Sequence, residues 1–331
     1  MSWQRGIDIS HHTFDATIIE ATGTRRHQQF ANTKKGFQQF HTWVKAPFVV
    51  DLHVCMEATN VYWEDLAEDL FQRGYQVSVV NPARIKGFGI SQLQRNKTDK
   101  VDSGVIADFC ARMVPRRWHP PSPEQRQLRD LVRHVDALKK TRTQQLNRAK
   151  TCHNAVVKAS LQTIIDALNA QIKAIEAQIE ALFTTHQTLR DQRKLLMSID
   201  GIGKTTATKI LAEMYDLEDY VNARAAAADG GVTPAQYASG TSVRRRARLC
   251  KVGKASLRGA LYWPAITAMH HNPIIRDLKE RLEQKGKPTG VIIGAAMRKL
   301  LHLAYGVLKN NTPFDPDYVC TSRKTVLAYV N

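Results

Sequence analysis

The order of strand and helix signals in the first third of the chain restricts its fold more than any other feature. Three strand-like stretches come first and predict a meander, and helices then alternate with two further strands. The predicted strands are 5–9, 16–21, 27–32, 49–57 and 76–80, and the predicted helices are 34–45, 62–73 and 101–113. The apolar start of 49–57 is typical of a strand that is covered on both faces.

Four carboxylates occupy special positions in this pattern, which is the element order of a ribonuclease-H-like domain. Asp8 closes the first, central strand and Glu57 closes the fourth, while Asp99 and Asp102 share one face of a helix start. Acidic oxygens are the ligands of hard cations, and paired Mg²⁺ ions often serve phosphodiester chemistry. The four positions therefore predict a metal site. A plain structural role stays open, with Asn96 as a helix cap and Asp99 three residues after it.

The chain carries a large positive charge. Its 331 residues include 48 Lys and Arg against 30 Asp and Glu, a formal net charge of +18. Such an excess favours a polyanionic partner through attraction and counterion release. Because no apolar stretch approaches the roughly 20 residues that span a bilayer, and the N-terminus lacks a signal-peptide core, we expect a nucleic-acid partner, no membrane and a cytoplasmic location.

The five cysteines are scattered and form no Cys-x-x-Cys pair. They are Cys55, Cys110, Cys152, Cys250 and Cys320. Zinc sites and disulfide frameworks both need closer or paired spacing. We therefore predict free thiols in a reducing cytoplasm and no zinc site.

The middle of the chain is predicted to be helical and basic. Residues 112–150 contain eleven Lys and Arg against three acidic residues. The segment 161–182 has apolar residues at alternating steps of four and three, which predicts a coiled coil. The seam could pair within the chain or between chains. Since an apolar seam needs a partner, we expect an oligomer.

Helices are also predicted in the last part of the chain, at 195–211, 257–269, 274–284 and 291–308. Gly201, Gly203 and Lys204 suggest a phosphate loop, but the full motif needs a glycine where Ser198 stands. A helix-hairpin-helix fits better, with backbone N–H groups at a helix N-terminus facing a DNA phosphate. A plain turn between two helices is the alternative.

A one-sided basic stretch follows, because residues 230–276 include eight Lys and Arg and no acidic residue. A Ser/Gly loop opens it, which predicts a phosphate cradle, and Ser239 is a candidate nucleophile that arginines or a metal could activate. Ser242 and Ser256 are rivals, although Ser256 is more typical of a helix cap. The candidate nucleic-acid contacts here are Arg244, Arg245, Arg246, Arg248, Lys251 and Lys254.

These motifs make the chain similar to the DEDD-type transposases of insertion sequences, a family of bridge-RNA-guided recombinases related to pilin-gene invertases. The resemblance extends over essentially the whole chain. One departure is Asn60, where the family commonly has glycine. The matching motifs are Gly6-Ile7-Asp8, Glu57-Ala58-Thr59, Asn81-Pro82, Asn96-Lys97-Thr98-Asp99-x-x-Asp102, Ile199-Asp200-Gly201-Ile202-Gly203, Gly231-Val232-Thr233-Pro234, Ser239-Gly240-x-Ser242, Ala260-Leu261-Tyr262 and Pro264-Ala265.

The resemblance implies a RuvC-like domain in which Asp8, Glu57, Asp99 and Asp102 bind Mg²⁺, up to two ions per site. It also implies that Ser239 attacks a DNA phosphodiester and forms a covalent phosphoserine. In the family, the carboxylates of one subunit meet the serine of another. The subunits form a tetramer, a dimer of dimers, around a non-coding bridge RNA that pairs with double-stranded target and donor DNA.

We therefore expect an α/β plus α chain in three parts. A RuvC-like, ribonuclease-H-like domain occupies 1–120, a basic coiled-coil segment 121–192, and a mainly helical transposase domain with the helix-hairpin-helix-like motif 193–331. The expected function is RNA-guided, site-specific recombination by an insertion-sequence transposase that is nucleoid-associated during action. The alternatives are a metal-dependent, junction-resolvase-like nuclease with an idle serine, and a non-catalytic nucleic-acid-binding protein, against which the four intact carboxylates argue.

Overall fold

The computed structural model of the chain describes residues 3–20, 22–44, 52–94, 98–239, 243–250 and 252–317. The chain divides into unit 1, Met1–Pro120, and unit 2, Pro121–Asn331. The further boundary expected between 192 and 193 stays a prediction.

A five-stranded mixed sheet is the frame of unit 1. Its strands are β1 (Trp3–Ile9), β2 (Thr13–Ile19), β3 (Arg25–Ala31), β4 (Leu52–Glu57) and β5 (Gln76–Val80). The order in space is β3-β2-β1-β4-β5, so β1 is central. β2 is antiparallel to β1 and β3, whereas β4 is parallel to β1 and β5. All five predicted strands are therefore present, and three of them begin two or three residues earlier than predicted.

Helices cover both faces of this sheet. They are α1 (Lys34–Val44), α2 (Glu64–Gln72), α3 (Pro82–Ser91) and α4 (Asp99–Met113). The α1 residues Phe37 and Phe40 pack on Phe14 and Phe30 of the sheet. The helices predicted from the sequence do not include α3. The Asn81 side chain caps α3 by accepting from the amide of residue 83, and the proline fills the first turn.

The described residues of unit 2 form helices and a β-hairpin. Its helices are α5 (Pro123–Thr151), α6 (Ala155–Thr185), α7 (Gln187–Met197), α8 (Lys204–Glu213), α9 (Ala223–Asp229), α10 (Ala255–His271), α11 (Pro273–Gln284) and α12 (Thr289–Asn310). The hairpin strands are β6 (Pro234–Ser239) and β7 (Val243–Leu249). The sequence did not predict the hairpin, since an arginine run has little intrinsic preference for a strand.

The predicted coiled-coil seam finds a partner inside the chain. α5 and α6 form an antiparallel pair, with Leu161, Ile165 and Ile172 of α6 buried. Lys139 of α5 lies 2.6 Å from Glu176 of α6. The seam therefore does not by itself call for a second chain, and the expected oligomer stays a prediction.

α12 is the central helix of unit 2. Among the described residues it is the single helix long and apolar enough to cross a membrane. Its buried Met297, Leu300 and Leu301 belong to the hydrophobic core of the unit, which accounts for its apolar composition.

The thiols agree with the sequence prediction as far as the structure describes them. Cys55 and Cys110 are buried, Cys152 and Cys250 are partly buried, and all four are free. Cys320 lies outside the described residues.

Candidate functional site

Two of the four predicted carboxylates lie at the same edge of the sheet. β1 and β4 are parallel neighbours, and Ile7 pairs with Met56 at the end of their shared ladder. The next residues are Asp8 and Glu57, so both lie where two central strands end. Both side chains are intermediate between buried and exposed, which leaves them within reach of a ligand.

α4 is held against this part of the sheet by close backbone packing. A Cβ atom at Gly6 would come within 2.2 Å of the Ser103 carbonyl oxygen and the Ala107 nitrogen, so glycine is required for this approach. The hydroxyls of Thr17 and Ser103 are hydrogen-bonded at 2.8 Å in the same buried layer. Because Asp8 follows Gly6 by two residues, its side chain projects from the same face of the sheet as α4.

The first turn of α4 supplies the other two carboxylates. Asp99 precedes Ser103 by four residues, so the two share a helix face, and Asp102 lies in the same first turn. The helix cap is Thr98, whose side chain accepts from the Val101 amide at 3.3 Å. The alternative interpretation of Asn96 as the cap is therefore wrong. Asn96 itself lies outside the described residues.

The charges of the four carboxylates act on one another. The pKa of Asp8 rises from 3.8 to about 7, first because the group is buried and then because of Glu57, Asp102 and Asp99. Within the described ranges, no three His, Cys, Asp or Glu side chains already converge as a metal-binding set. The structure therefore brings the four together as a cluster of negative charge and not as a finished coordination shell. An oxygen-only donor set of this charge fits a hard divalent cation.

The sequence analysis missed a fifth carboxylate beside the cluster. Asp15 pairs with Asp8 across the β1–β2 ladder and adds to the rise in the Asp8 pKa. It is buried, and it accepts hydrogen bonds from His27 Nε2 at 2.8 Å and Gln29 Nε2 at 2.9 Å. Only the strand register reveals its place, because nothing in the local sequence marks it.

Backbone conformation explains the departure at Asn60. This residue has φ 52°, in the left-handed region that glycine adopts freely and asparagine tolerates better than most residues. Its carbonyl accepts from Trp63 Nε1 at 2.9 Å. Nearby, Asn32 Nδ2 donates to the carbonyls of Ser10 and Tyr62, which ties the turn after β1 to the segment after β4. Nothing in the local sequence indicates these hydrogen bonds.

Ser239 is the last residue of β6, where its backbone pairs with Val243 of β7. The connection 240–242, which includes Ser242, lies outside the described residues. Lys251 also lies outside them. The backbones of Arg244 and Arg245 lie opposite residues 238 and 237, Arg246 follows in β7, and Arg248 is exposed near the base. The candidate nucleophile and the arginine run therefore share one hairpin.

Ser256, a rival nucleophile, is not the helix cap that the sequence suggested. The residue at the N-cap of α10 is Lys254, and Ser256 is the second residue of the helix. Burial opposes the charged form of Glu213, but Arg133 and then the Ser256 hydroxyl favour it, so the pKa of Glu213 is lowered. Lys254, a predicted nucleic-acid contact, lies 3.4 Å from Asp229 and donates to the Glu213 carbonyl.

The Gly201–Gly203 turn joins α7 to α8 on the surface of α10. Gly201 has φ 99°, and a Cβ there would lie 2.6 Å from Ala268 Cβ, so the turn requires glycine. Gly203 is the N-cap of α8 and has open space around its Cα. Lys204 Nζ lies 2.8 Å from Glu180 Oε2 while its side chain remains half-exposed. The turn is therefore well defined, and its phosphate-binding role stays a prediction.

Comparison with known proteins identifies relatives along nearly the whole chain. A family model described as Transposase, of the DEDD IS110 type, matches residues 5–155, and one described as Transposase IS116/IS110/IS902 family matches 193–280. A pilin gene-inverting protein of Moraxella bovis is 34% identical over 316 residues, covering 94% of this chain and 97% of the relative. A probable family 20 transposase of Pseudomonas aeruginosa is 22% identical, covering 94% and 98%.

These similarities, together with a carboxylate cluster in one unit and a basic hairpin in the other, define a DNA transposase or recombinase. The chain belongs to the IS110 family of transposases. The family prediction from the sequence is thereby confirmed at this level.

Proposed function

We propose that the chain is a site-specific recombinase that moves its own insertion sequence through Mg²⁺-dependent strand cleavage. The observation that carries this proposal is the placement of Asp8 and Glu57 at neighbouring strand ends, with α4 packed on the face from which Asp8 projects. The strand order β3-β2-β1-β4-β5 supports a ribonuclease-H-like or RuvC-like domain. Asp99 and Asp102 complete the proposed ligand set.

The carboxylates would hold one or two Mg²⁺ ions. Bound Mg²⁺ supplies positive charge next to the attacking and leaving oxygens of a phosphodiester. Burial first, and the crowded negative charge after it, raise the pKa of Asp8, and such a cation would relieve that crowding. Asp15 is engaged with His27 and Gln29, and we assign it a positioning role for the Asp8 strand.

Ser239 would act as the nucleophile. Its Oγ forms a bond to the DNA phosphorus while one ester P–O bond of the same phosphate breaks. The hydroxyl loses its proton, and the departing sugar oxygen gains one. The arginines of β7 support this assignment, because guanidinium groups next to a phosphate stabilise its charge in the transition state. Joining to a new strand reverses these bond changes and releases the serine.

The helical hairpin α5–α6 would contact a guide RNA. Lys140, Arg148 and Lys150 of α5 are exposed, which supports an electrostatic role for this surface. Because base pairing would read the target and donor sequences, the protein would mainly contact backbone and shape. A tetramer in which the carboxylates of one subunit meet Ser239 of another is part of the proposal.

The test is a covalent-adduct assay. Protein expressed with its flanking DNA, and so with any native RNA, is mixed with junction DNA and Mg²⁺ and run on a denaturing gel. We expect DNA to migrate with wild-type protein and with Ser242→Ala, the matched control from the same loop. Ser239→Ala and Asp102→Asn should form no adduct.

Other outcomes separate the alternatives. An adduct that survives in Ser239→Ala and is lost in Ser242→Ala would identify Ser242 as the nucleophile. Cleaved DNA without any adduct would support a structure-specific nuclease in which water attacks. Sequencing of RNA that copurifies with the protein checks the guide. A guide should contain segments complementary to the target and to the junctions of the element, and random cellular RNA would contradict it.

A further inference from the structure

α10 presents an exposed aromatic pair that the proposed reaction does not use. Trp263 is 71% exposed and Tyr262 43%, and their ring centroids lie 5.5 Å apart with the rings nearly perpendicular. Trp263 is the single tryptophan of residues 121–331, since the other four precede residue 120. An indole left in water forgoes the stabilisation that burial gives a large apolar ring. The fold of unit 2 does not use this side chain in its core.

The surface around the indole is open and sparsely apolar. Helical spacing places Ser256, Gly259, Thr267 and His270 beside Trp263 on the exposed face of α10, and all four are exposed. A Cβ at Gly259 would meet nothing within 4 Å. A protein interface of ordinary size needs an extended buried core with a polar rim, which a ring among small polar residues does not provide. A single planar ring of matching size is a better ligand for this surface than a protein partner is.

The charge of the segment that contains Trp263 points to the class of ligand. A Cβ at Gly201 would lie 3.0 Å from the carbonyl of Pro264, the residue after Trp263. The turn that leads into the N-terminus of α8 therefore packs on α10 at Pro264 and Ala268. From residue 230 to 276 the sequence contains basic residues and no acidic ones. An aromatic platform in a positively charged segment is the usual combination for binding single-stranded nucleic acid.

We propose that Trp263 is a stacking platform for an unpaired base of the DNA substrate, with Tyr262 supporting the indole edge-on. The inference rests on the proposed function only for the identity of the partner as DNA. Strand exchange exposes bases that have lost their partners, and stacking on an indole would hold such a base without reading its sequence. The reaction proposed for the carboxylates and Ser239 does not itself use this contact.

The experiment compares binding of single-stranded DNA, its duplex and single-stranded RNA of the same sequence, in EDTA and over a range of salt. Trp263→Ala should weaken single-stranded DNA binding by about 5- to 150-fold, the range for loss of one base–aromatic stack. Trp263→Phe should restore most of the affinity. The dependence of log K on log salt should stay unchanged, because no phosphate contact is lost. Val221→Ala, which alters an 86%-exposed side chain in the same unit, is the matched control.

Three results would overturn the proposal. Trp263→Ala could bind single-stranded DNA as tightly as Val221→Ala does. Trp263→Ala could weaken binding of the duplex as much as that of single-stranded DNA, or it could weaken only RNA binding. The variant could keep its DNA affinity and change its oligomeric state in light scattering, which would make the ring a protein contact.

A second measurement does not depend on the alanine variant folding. Single-stranded DNA carrying 5-iodouracil at successive positions should photo-crosslink to the peptide that contains Trp263, and crosslinks only elsewhere would exclude the platform. Because binding in EDTA needs neither metal nor Ser239, these assays and the adduct assay can fail independently.

Discussion

The carboxylates and the serine of the proposed reaction lie on different kinds of structure. The carboxylate cluster of unit 1 lies on the central strands of a sheet, with α4 fixed against them by the close approach at Gly6. Ser239 of unit 2 lies at the far end of a two-stranded hairpin. That hairpin is joined to the core at its base, where Cys250 N donates to the Thr233 carbonyl and Leu249 contacts Gly294 of α12. At ~3.3 Å per residue, the serine stands roughly 17 Å from that base.

This difference matches the different roles proposed for the two groups, which are metal binding for the carboxylates and nucleophilic attack for Ser239. Metal ligands need a fixed mutual geometry, which buried neighbouring elements provide. A nucleophile that must reach DNA, and in the proposed composite site the carboxylates of another subunit, belongs on a projecting element. Changes at the sheet should therefore couple stability to activity, whereas changes along the hairpin should separate the two.

The largest effect is expected at Gly6. In Gly6→Ala the new methyl group would meet backbone atoms of Ser103 and Ala107, which cannot turn aside as a side chain can. We expect a loss of about 3 kcal/mol or more in the free energy of unfolding, at the upper end for an overpacked core, and loss of recombination. Urea denaturation measures the first.

Gly306→Ala is the matched control for this change. Gly306 lies inside α12, and a Cβ there would meet nothing within 4 Å. Better helix propensity should stabilise this variant by up to about 1 kcal/mol. Equal behaviour of the two alanine variants would show that α4 is not held as closely as the structure indicates.

Asp8→Asn should make unit 1 more stable while abolishing activity. The folded pKa of Asp8, about 7, exceeds the ordinary 3.8, so the folded state binds the proton more tightly. Without metal, stability should rise as the pH falls from about 7 towards 3.8. The asparagine variant should gain about 1–3 kcal/mol at pH 7.5 and lose this part of the pH dependence.

Thermal unfolding with added Mg²⁺ tests the metal ligand independently of activity. Mg²⁺ should raise the Tm of the wild type by mass action, and it should raise that of Asp8→Asn much less. An equal rise in both proteins, or none in either, would contradict a metal site at Asp8.

The strands of unit 1 were predictable from the sequence because they combine apolar runs with clear breaks. The positions of Asp8 and Glu57 followed from the same pattern. The sequence did not reveal the register of the strands or the close approach of α4 to β1. Asp15 joins the cluster only because β2 pairs Asp15 with Asp8, and the requirement for Gly6 depends on a helix about one hundred residues later. Long-range pairing leaves no local mark in a sequence.

Unit 2 was less predictable at the place that matters most. Three of its helices, α10, α11 and α12, begin and end within two residues of the predicted bounds. The predicted helical stretch 195–211 is instead divided between α7 and α8, and α9 was not predicted. The β6–β7 hairpin was missed, because its arginine run suggested charge and not a strand. The exposed Trp263 was also overlooked, since exposure is decided by which face of α10 the core covers.

The next prediction concerns Leu249, which joins the β6–β7 hairpin to the core of unit 2. Leu249→Ala removes the contact with Gly294 and should cost about 1–2 kcal/mol for a partly buried leucine. We expect adduct formation to fall further than this loss of stability explains, because the serine end depends on the base. Leu282→Ala in α11 removes a similar leucine from the same core away from the hairpin. Parallel losses in both variants would mean that the hairpin adds no separate requirement.

The smallest effect is a pH response opposite to that of Asp8. Burial lowers the pKa of His302 from 6.5 to about 4, with Arg298 and Lys299 adding to the shift. Below pH 6.5 the unfolded chain takes up a proton that the folded unit does not, so this contribution is full above 6.5 and lost as the pH falls towards 4. His302→Gln should reduce the loss between pH 7.5 and 5.5 by about 1 kcal/mol, after discounting for partial exposure. Urea titrations at the two pH values measure it, and an unchanged difference would show that His302 is protonated in the folded state.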